Sequence, residues 1–114
     1  MKALTVTRPW GNFRQFTLNE PCTVKILTIS AGARVSLQKH HDRSEFWHII
    51  SGNGKITVDD EVTEVSTGDE LAIPVGAVHR LEAHEGEDLV FLEVAKGHFD
   101  ENDIERLSDD YGRN

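Results

Sequence analysis

Gln38-Lys39-His40-His41-Asp42-Arg43-Ser44-Glu45-Phe46-Trp47 concentrates potential metal ligands between two strand-like runs. A second segment, Gly68 to Pro74 and Gly76 to His79, adds another histidine behind a tight turn. Alternation along a strand fixes which side chains share a face. Gln38 and His40 therefore point the same way, and Ser36 joins them. Beyond the polar turn Glu45 opens the next strand. Its parity sends Trp47 and Ile49 inward and puts Lys39, Phe46 and His48 on the opposite face. Imidazole, carboxylate and amide oxygen all bind divalent ions. Gln38, His40, Glu45 and His79 are the candidate metal ligands, and four protein ligands leave room for water or substrate. A set without thiolate fits Zn, Mn, Co, Ni or Fe. Ligand type does not choose among them, and zinc is placed first.

Outward from these segments the chain reads as β nearly throughout. Thr23 to Ser30, Val35 to His40, Glu45 to Ile50, Lys55 to Val58, Val62 to Val65, Glu70 to Ile73, His79 to Ala83 and Leu89 to Ala95 are short, β-branched or alternating runs. Turn signals separate them, among them Ser51-Gly52-Asn53-Gly54, Thr67-Gly68-Asp69 and Pro74-Val75-Gly76. Many short strands at this spacing predict an all-β sandwich or small antiparallel barrel. Asp100 to Leu107 reads as one short helix, with Asp100 as N-cap and acidic residues in the first turn, where the helix dipole favours them. Ser108 to Asn114 is polar, and composition makes it a frayed tail.

The 114 residues predict one domain, 1–114, with a core at about 22–97 and the helix and tail at 98–114. With 12 basic against 20 acidic side chains the net charge is −8, which argues against nucleic acid and against anionic membrane surfaces as partners. A small phosphorylated ligand stays possible, because local arginines outweigh global charge at a pocket. Cys22 is the only cysteine, so no disulfide forms within the chain. The N-terminus has no apolar core of signal-peptide length, and no run approaches a membrane span, so a cytoplasmic protein is expected.

The spacing Gly32, Gln38, His40, Glu45, Gly52 resembles the first cupin motif, and Gly68, Pro74, Gly76, His79 the second. Gln38 replaces a histidine common in cupins, and Ala83 an asparagine. Arg8-Pro9-Trp10-Gly11, Ser36-Leu37-Gln38, Arg43-Ser44-Glu45-Phe46-Trp47, Asp103-Ile104-Glu105-Arg106 and Asp110-Tyr111-Gly112-Arg113 complete a resemblance to the type II mannose-6-phosphate isomerase cupin domain, from Arg8 to Arg113. Phe46 departs from a histidine usual in that family. The resemblance implies a jelly-roll cupin, a homodimer, and interconversion of mannose 6-phosphate and fructose 6-phosphate. Family members often carry this domain behind a guanylyltransferase domain. The chain is expected to stand alone without it, and no GTP-dependent activity is inferred.

Such a reaction needs a base that moves a proton between C1 and C2, a Lewis acid or donor for the enediolate oxygens, and cations for the phosphate. Glu93 lies in the strand Val90-Phe91-Leu92-Glu93-Val94, an odd place for a carboxylate unless it faces a polar cavity. His41 neighbours the ligands and can titrate near neutral pH. Glu93 and His41 are the acid/base candidates, with an edge carboxylate and a solvated turn histidine as their plain alternatives. The Tyr111-Gly112-Arg113 motif of the resemblance implies that Arg113 is a phosphate or substrate contact with a catalytic part, with a surface cation as the plain alternative. Arg8 and Arg43 are further substrate-binding candidates, set against an anchoring or ion-pairing role. His48, His84 and His98 read as surface or packing histidines, and Arg80 as structural. Two other functions compete: a cupin oxygenase, marked by dependence on oxygen, and a non-catalytic module that binds sugars or sugar phosphates without turnover.

Overall fold

In a computed structural model, residues 4–113 are described. The chain forms β1 Leu4–Arg8, β2 Gly11–Gln15, β3 Cys22–Ile29, β4 Leu37–Lys39, β5 Arg43–Ser51, β6 Asn53–Val58, β7 Glu61–Ser66, β8 Glu70–Ile73, β9 His79–Ala83, β10 Leu89–Gly97 and β11 Glu105–Ser108. β1 and β2 make a hairpin of their own. The other strands form a four-stranded sheet, β3-β10-β5-β8, and a five-stranded sheet, β11-β4-β9-β6-β7. Every paired register is antiparallel. The barrel expected from the sequence is therefore two facing sheets that no strand pairing closes. Buried side chains from both sheets, including Trp47, Ile49, Ile56, Leu81, Leu89 and Phe91, fill the space between them. No helix among the described residues is long and apolar enough to cross a membrane.

Side chains alternate along β5 as their parity predicts. On β5, Glu45, Trp47 and Ile49 are buried between the sheets. Phe46 points to the other face but is also buried, because the Phe16 ring covers it at 5.7 Å between centroids. The segment after the hairpin thus caps the outer face at this point. Arg14 on β2 fastens the hairpin to Glu70 on β8 through two hydrogen bonds, 2.5 and 2.8 Å.

The predicted C-terminal helix is absent, and its residues form a turn and then β11. Asp100 does act as a local cap, but within a turn: its Oδ1 accepts from the Asn102 amide at 2.9 Å. Asp103 turns away from its own segment and accepts from the amides of His41 and Asp42, at 2.8 and 2.9 Å. With its acidic acceptors committed there, Glu105–Ser108 pairs with β4 instead of coiling. Nor is the described part of the tail, Ser108 to Arg113, frayed; Asn114 lies outside the described residues. Arg34 holds Asp110 bidentately at 2.7 and 2.9 Å, and the Tyr111 hydroxyl donates to the Arg34 carbonyl at 2.9 Å. Arg80 donates to the carbonyls of Val35 and Ser108, tying β9 to the segment before β4 and to the end of β11.

One glycine closes the ligand-bearing end. Gly97 has φ +114°, and a Cβ there would stand 2.3 Å from the carbonyl oxygen of Asp42. Only glycine allows the end of β10 to pass so close to the His40–Arg43 turn.

Candidate metal centre

β4, β5 and β9 bring the predicted ligands to one place. Gln38 on β4 is the register partner of His79 on β9, and directly paired antiparallel residues present side chains to the same face. His40 follows at the end of β4, and Glu45 enters from the opposite sheet. One ligand atom from each of His40, Glu45 and His79 falls within 4.8 Å of the others, and all three residues are buried. Glu45 lies between the histidines, with Oε2 3.6 Å from His40 Nε2 and Oε1 3.7 Å from His79 Nε2.

Neighbouring carbonyls set the histidine tautomers. His79 Nδ1 lies 3.0 Å from the Ala77 carbonyl and His40 Nδ1 lies 2.7 Å from the Asp103 carbonyl, so each Nδ1 carries its proton and donates. Both Nε2 lone pairs are turned toward Glu45. This is the outer-shell arrangement that orients a ligating imidazole. Burial pushes His79 below the usual histidine range, which keeps the ring neutral and able to ligate. Its Nε2 is buried and has no hydrogen-bond partner. A buried acceptor left unmet costs about 1–3 kcal/mol. A divalent ion would satisfy it, so the residues present fit a metal.

Arg43 supplies positive charge at the same place. Its Nε donates to Glu45 Oε2 at 3.1 Å, and its Nη2 donates to His40 Nε2 at 3.3 Å. The guanidinium lies over the Phe99 ring, 4.3 Å from its centroid, and also donates to the Asp100 carbonyl.

Three of the candidate ligands, Gln38, His40 and Glu45, border a cavity of ≈260 Å³ whose walls also include Trp47 and Glu93. His79 sits behind Glu45 rather than in the wall. Glu93 is 6% exposed, and its Oε1 accepts from Trp47 Nε1 at 3.3 Å. Burial, reinforced by the nearby Glu45 carboxylate, pushes Glu93 up to about 7. The odd carboxylate of β10 does face a polar cavity.

Of the other predicted residues, Arg43 and Arg113 also line this cavity, Arg113 through the C-terminal turn that holds it to Asp109. Arg8 stands elsewhere, on the hairpin over Phe13. His41 is exposed, 3.5 Å from Glu105 and outside the cavity wall. His48 and His84 pair with Glu70 and Glu64. Three residues at the site escaped the sequence reading: Lys25, Arg106 and Asp103. Asp103 was assigned to a helix, and the parity of Arg106 has meaning only once β11 is known to pair with β4.

A family profile described as mannose-6-phosphate isomerase C-terminal matches residues 2–109. The alginate biosynthesis protein AlgA of Pseudomonas aeruginosa is 42% identical over 110 residues, which cover 95% of this chain and 23% of that protein. A mannose-1-phosphate guanylyltransferase of Salmonella montevideo is 40% identical over 110 residues, 96% of this chain and 23% of that protein. The chain thus spans 23% of the length of these curated relatives. Among solved structures, the capsular polysaccharide assembling protein CapF from Staphylococcus aureus aligns with a TM-score of 0.66 and 25% identity, over 94% of this chain and 34% of that one.

Proposed function

The chain belongs to the mannose-6-phosphate isomerase C-terminal family of cupin domains, and on that premise we propose that residues 1–114 form one metal-dependent isomerase domain interconverting mannose 6-phosphate and fructose 6-phosphate. The observation that carries this reading is the buried His40, Glu45, His79 cluster beside a cavity that also holds a buried carboxylate. In the proposal Gln38, His40, Glu45 and His79 hold a divalent ion, zinc first. When bound, the ion supplies Lewis-acid chemistry to a sugar oxygen. Glu93 takes the proton from C2 of the open-chain aldose and returns it to C1 while the hydroxyl proton passes from O2 to O1, and Trp47 Nε1 fixes the carboxylate that does so. Arg43 and Arg113 stand at the same cavity to meet substrate oxygens. A homodimer is part of the proposal: Val24 and Ile26 on β3 are more than half exposed and alternate with the cavity-facing Lys25 and Leu27, which leaves an apolar outer strip for a second copy.

The test is isomerisation of mannose 6-phosphate by metal-stripped protein and after adding back Zn, Mn, Co, Ni or Fe(II). Turnover restored by metal and weakened by both Gln38→Ala and His79→Ala supports the reading. Folded protein that turns over with no metal sinks it. A second reading rests on Arg43, whose guanidinium already neutralises Glu45 and donates to His40, as in a polar sugar-binding pocket without catalysis. It predicts saturable sugar-phosphate binding and no turnover.

A further inference from the structure

We infer that Arg106 is the anchor for the anionic phosphate group of the sugar ligand; this assignment rests on the sugar-phosphate reading above. Four cationic side chains line the cavity: Lys25, Arg43, Arg106 and Arg113. Three are committed. Lys25 pairs with Glu101 at 2.6 Å, Arg43 with Glu45 at 3.1 Å, and Arg113 with Asp109 at 2.8 Å. Arg106 alone has no ion pair among the described residues. Its Nε is buried and lacks any hydrogen-bond partner. Buried N–H groups without a partner are rare in folded proteins, and one that borders a cavity marks a place where a ligand or water completes the bond.

The register explains why this arginine faces the site. Arg106 on β11 is the partner of Gln38 on β4, and Gln38 is the partner of His79 on β9. Directly paired residues share a face, so Arg106, Gln38 and His79 form a row across three strands. The register shift between Arg106 and Ser108 is an irregularity of the kind that re-aims a side chain beside a site. Around the cavity, Glu45, Glu93 and Glu101 already supply negative charge, so an incoming dianion needs a guanidinium not spent on any of them. A planar fork with free N–H groups matches a phosphate bidentately.

The test is calorimetric binding of mannose 6-phosphate and of free mannose to the metal-loaded protein and to its Arg106→Gln and Arg106→Lys variants, with melting temperature and metal content measured alongside. Arg106→Gln is expected to weaken mannose 6-phosphate about ten- to hundredfold and leave mannose unchanged. Arg106→Lys, which keeps the charge but not the fork, falls between. Removing an unpartnered buried N–H should leave the melting temperature unchanged or raise it. Unchanged mannose 6-phosphate affinity in the variants, or an equal loss for both sugars, overturns the assignment. So does a wild-type protein that binds mannose 6-phosphate no better than mannose. If Arg106→Gln does not fold, the Lys variant alone decides by the same comparison. Arg106-dependent binding without turnover defeats the isomerase reading and keeps this one. Turnover indifferent to Arg106 does the reverse.

Discussion

Metal should stabilise this protein through His79, and the increment can be worked out. His79 is 1% exposed, its Nδ1 donates to the Ala77 carbonyl, and its Nε2 faces Glu45 without a partner. An ion that binds only the folded state at about 100 times its dissociation constant adds about 2.7 kcal/mol. For a domain of this size that is a rise of about 11 °C, at about 4 °C per kcal/mol. Losing an outer-shell partner of a ligand weakens a metal site by about 10- to 100-fold, and losing the ligand itself costs at least as much. A 100-fold weaker site at the same ion concentration keeps only about 0.4 kcal/mol, or about 2 °C. The assay is thermal melting of chelated and reloaded protein, wild type against His79→Ala, with each increment taken against its own chelated form. That reference removes the packing lost with the imidazole. A His79→Ala protein that keeps the full increment, or a wild type that gains nothing from any of the five ions, refutes the reasoning.

Three further outcomes are expected. Gly97→Ala should cost about 1–3 kcal/mol from the left-handed backbone alone, and more from the clash with the Asp42 carbonyl, read as a lower denaturant midpoint; an unchanged midpoint defeats the close-approach argument. Asp103→Ala removes the acceptor for the His41 and Asp42 amides and loosens the carbonyl that orients His40, so metal affinity should fall about tenfold by competition with a chromogenic chelator; an unaltered affinity shows that the turn holds itself. Arg14 and then His48 hold the Glu70 carboxyl below the usual glutamate range, so the clamp on the hairpin is fully present above the ordinary glutamate pKa and is lost as pH falls through the lowered one. NMR shifts of Gly11–Gln15 should move over that acidic window, and Glu70→Gln should abolish the movement.

The strands around the ligands were legible because both faces of the problem were written locally. Alternation placed Gln38, His40, Glu45, Trp47 and Ile49, and the glycine turns set the breaks. What stayed hidden depended on partners far along the chain. Glu105–Ser108 is a strand only because β4 offers it an edge, and Asp103 caps amides more than sixty residues upstream, so a local helix signal was outweighed by tertiary pairing. The hairpin is the exception, a local pairing that was missed although Pro9-Trp10-Gly11 marks its turn and Thr5, Val6 and Thr7 favour a strand. The tail looked frayed by composition, yet Arg34, 76 residues before Asp110, holds it. Arg106 entered only as part of the Asp103–Arg106 segment of the resemblance and without a role at the site, since its neighbour Gln38 is adjacent only in the folded sheet.

The carbonyl of Asp103 holding His40 has a consequence for the order of assembly. A chain that emerges N-terminus first makes all its ligand positions before the segment that orients one of them. Until residues 103–108 dock on β4, His40 lacks the acceptor that fixes its Nδ1 proton and aims its Nε2. The two sheets can therefore form ahead of a competent pocket, and ion capture is postponed until the last strand is home. A nascent or partly unfolded chain would carry the same side chains yet hold metal weakly, which keeps loading restricted to the finished fold.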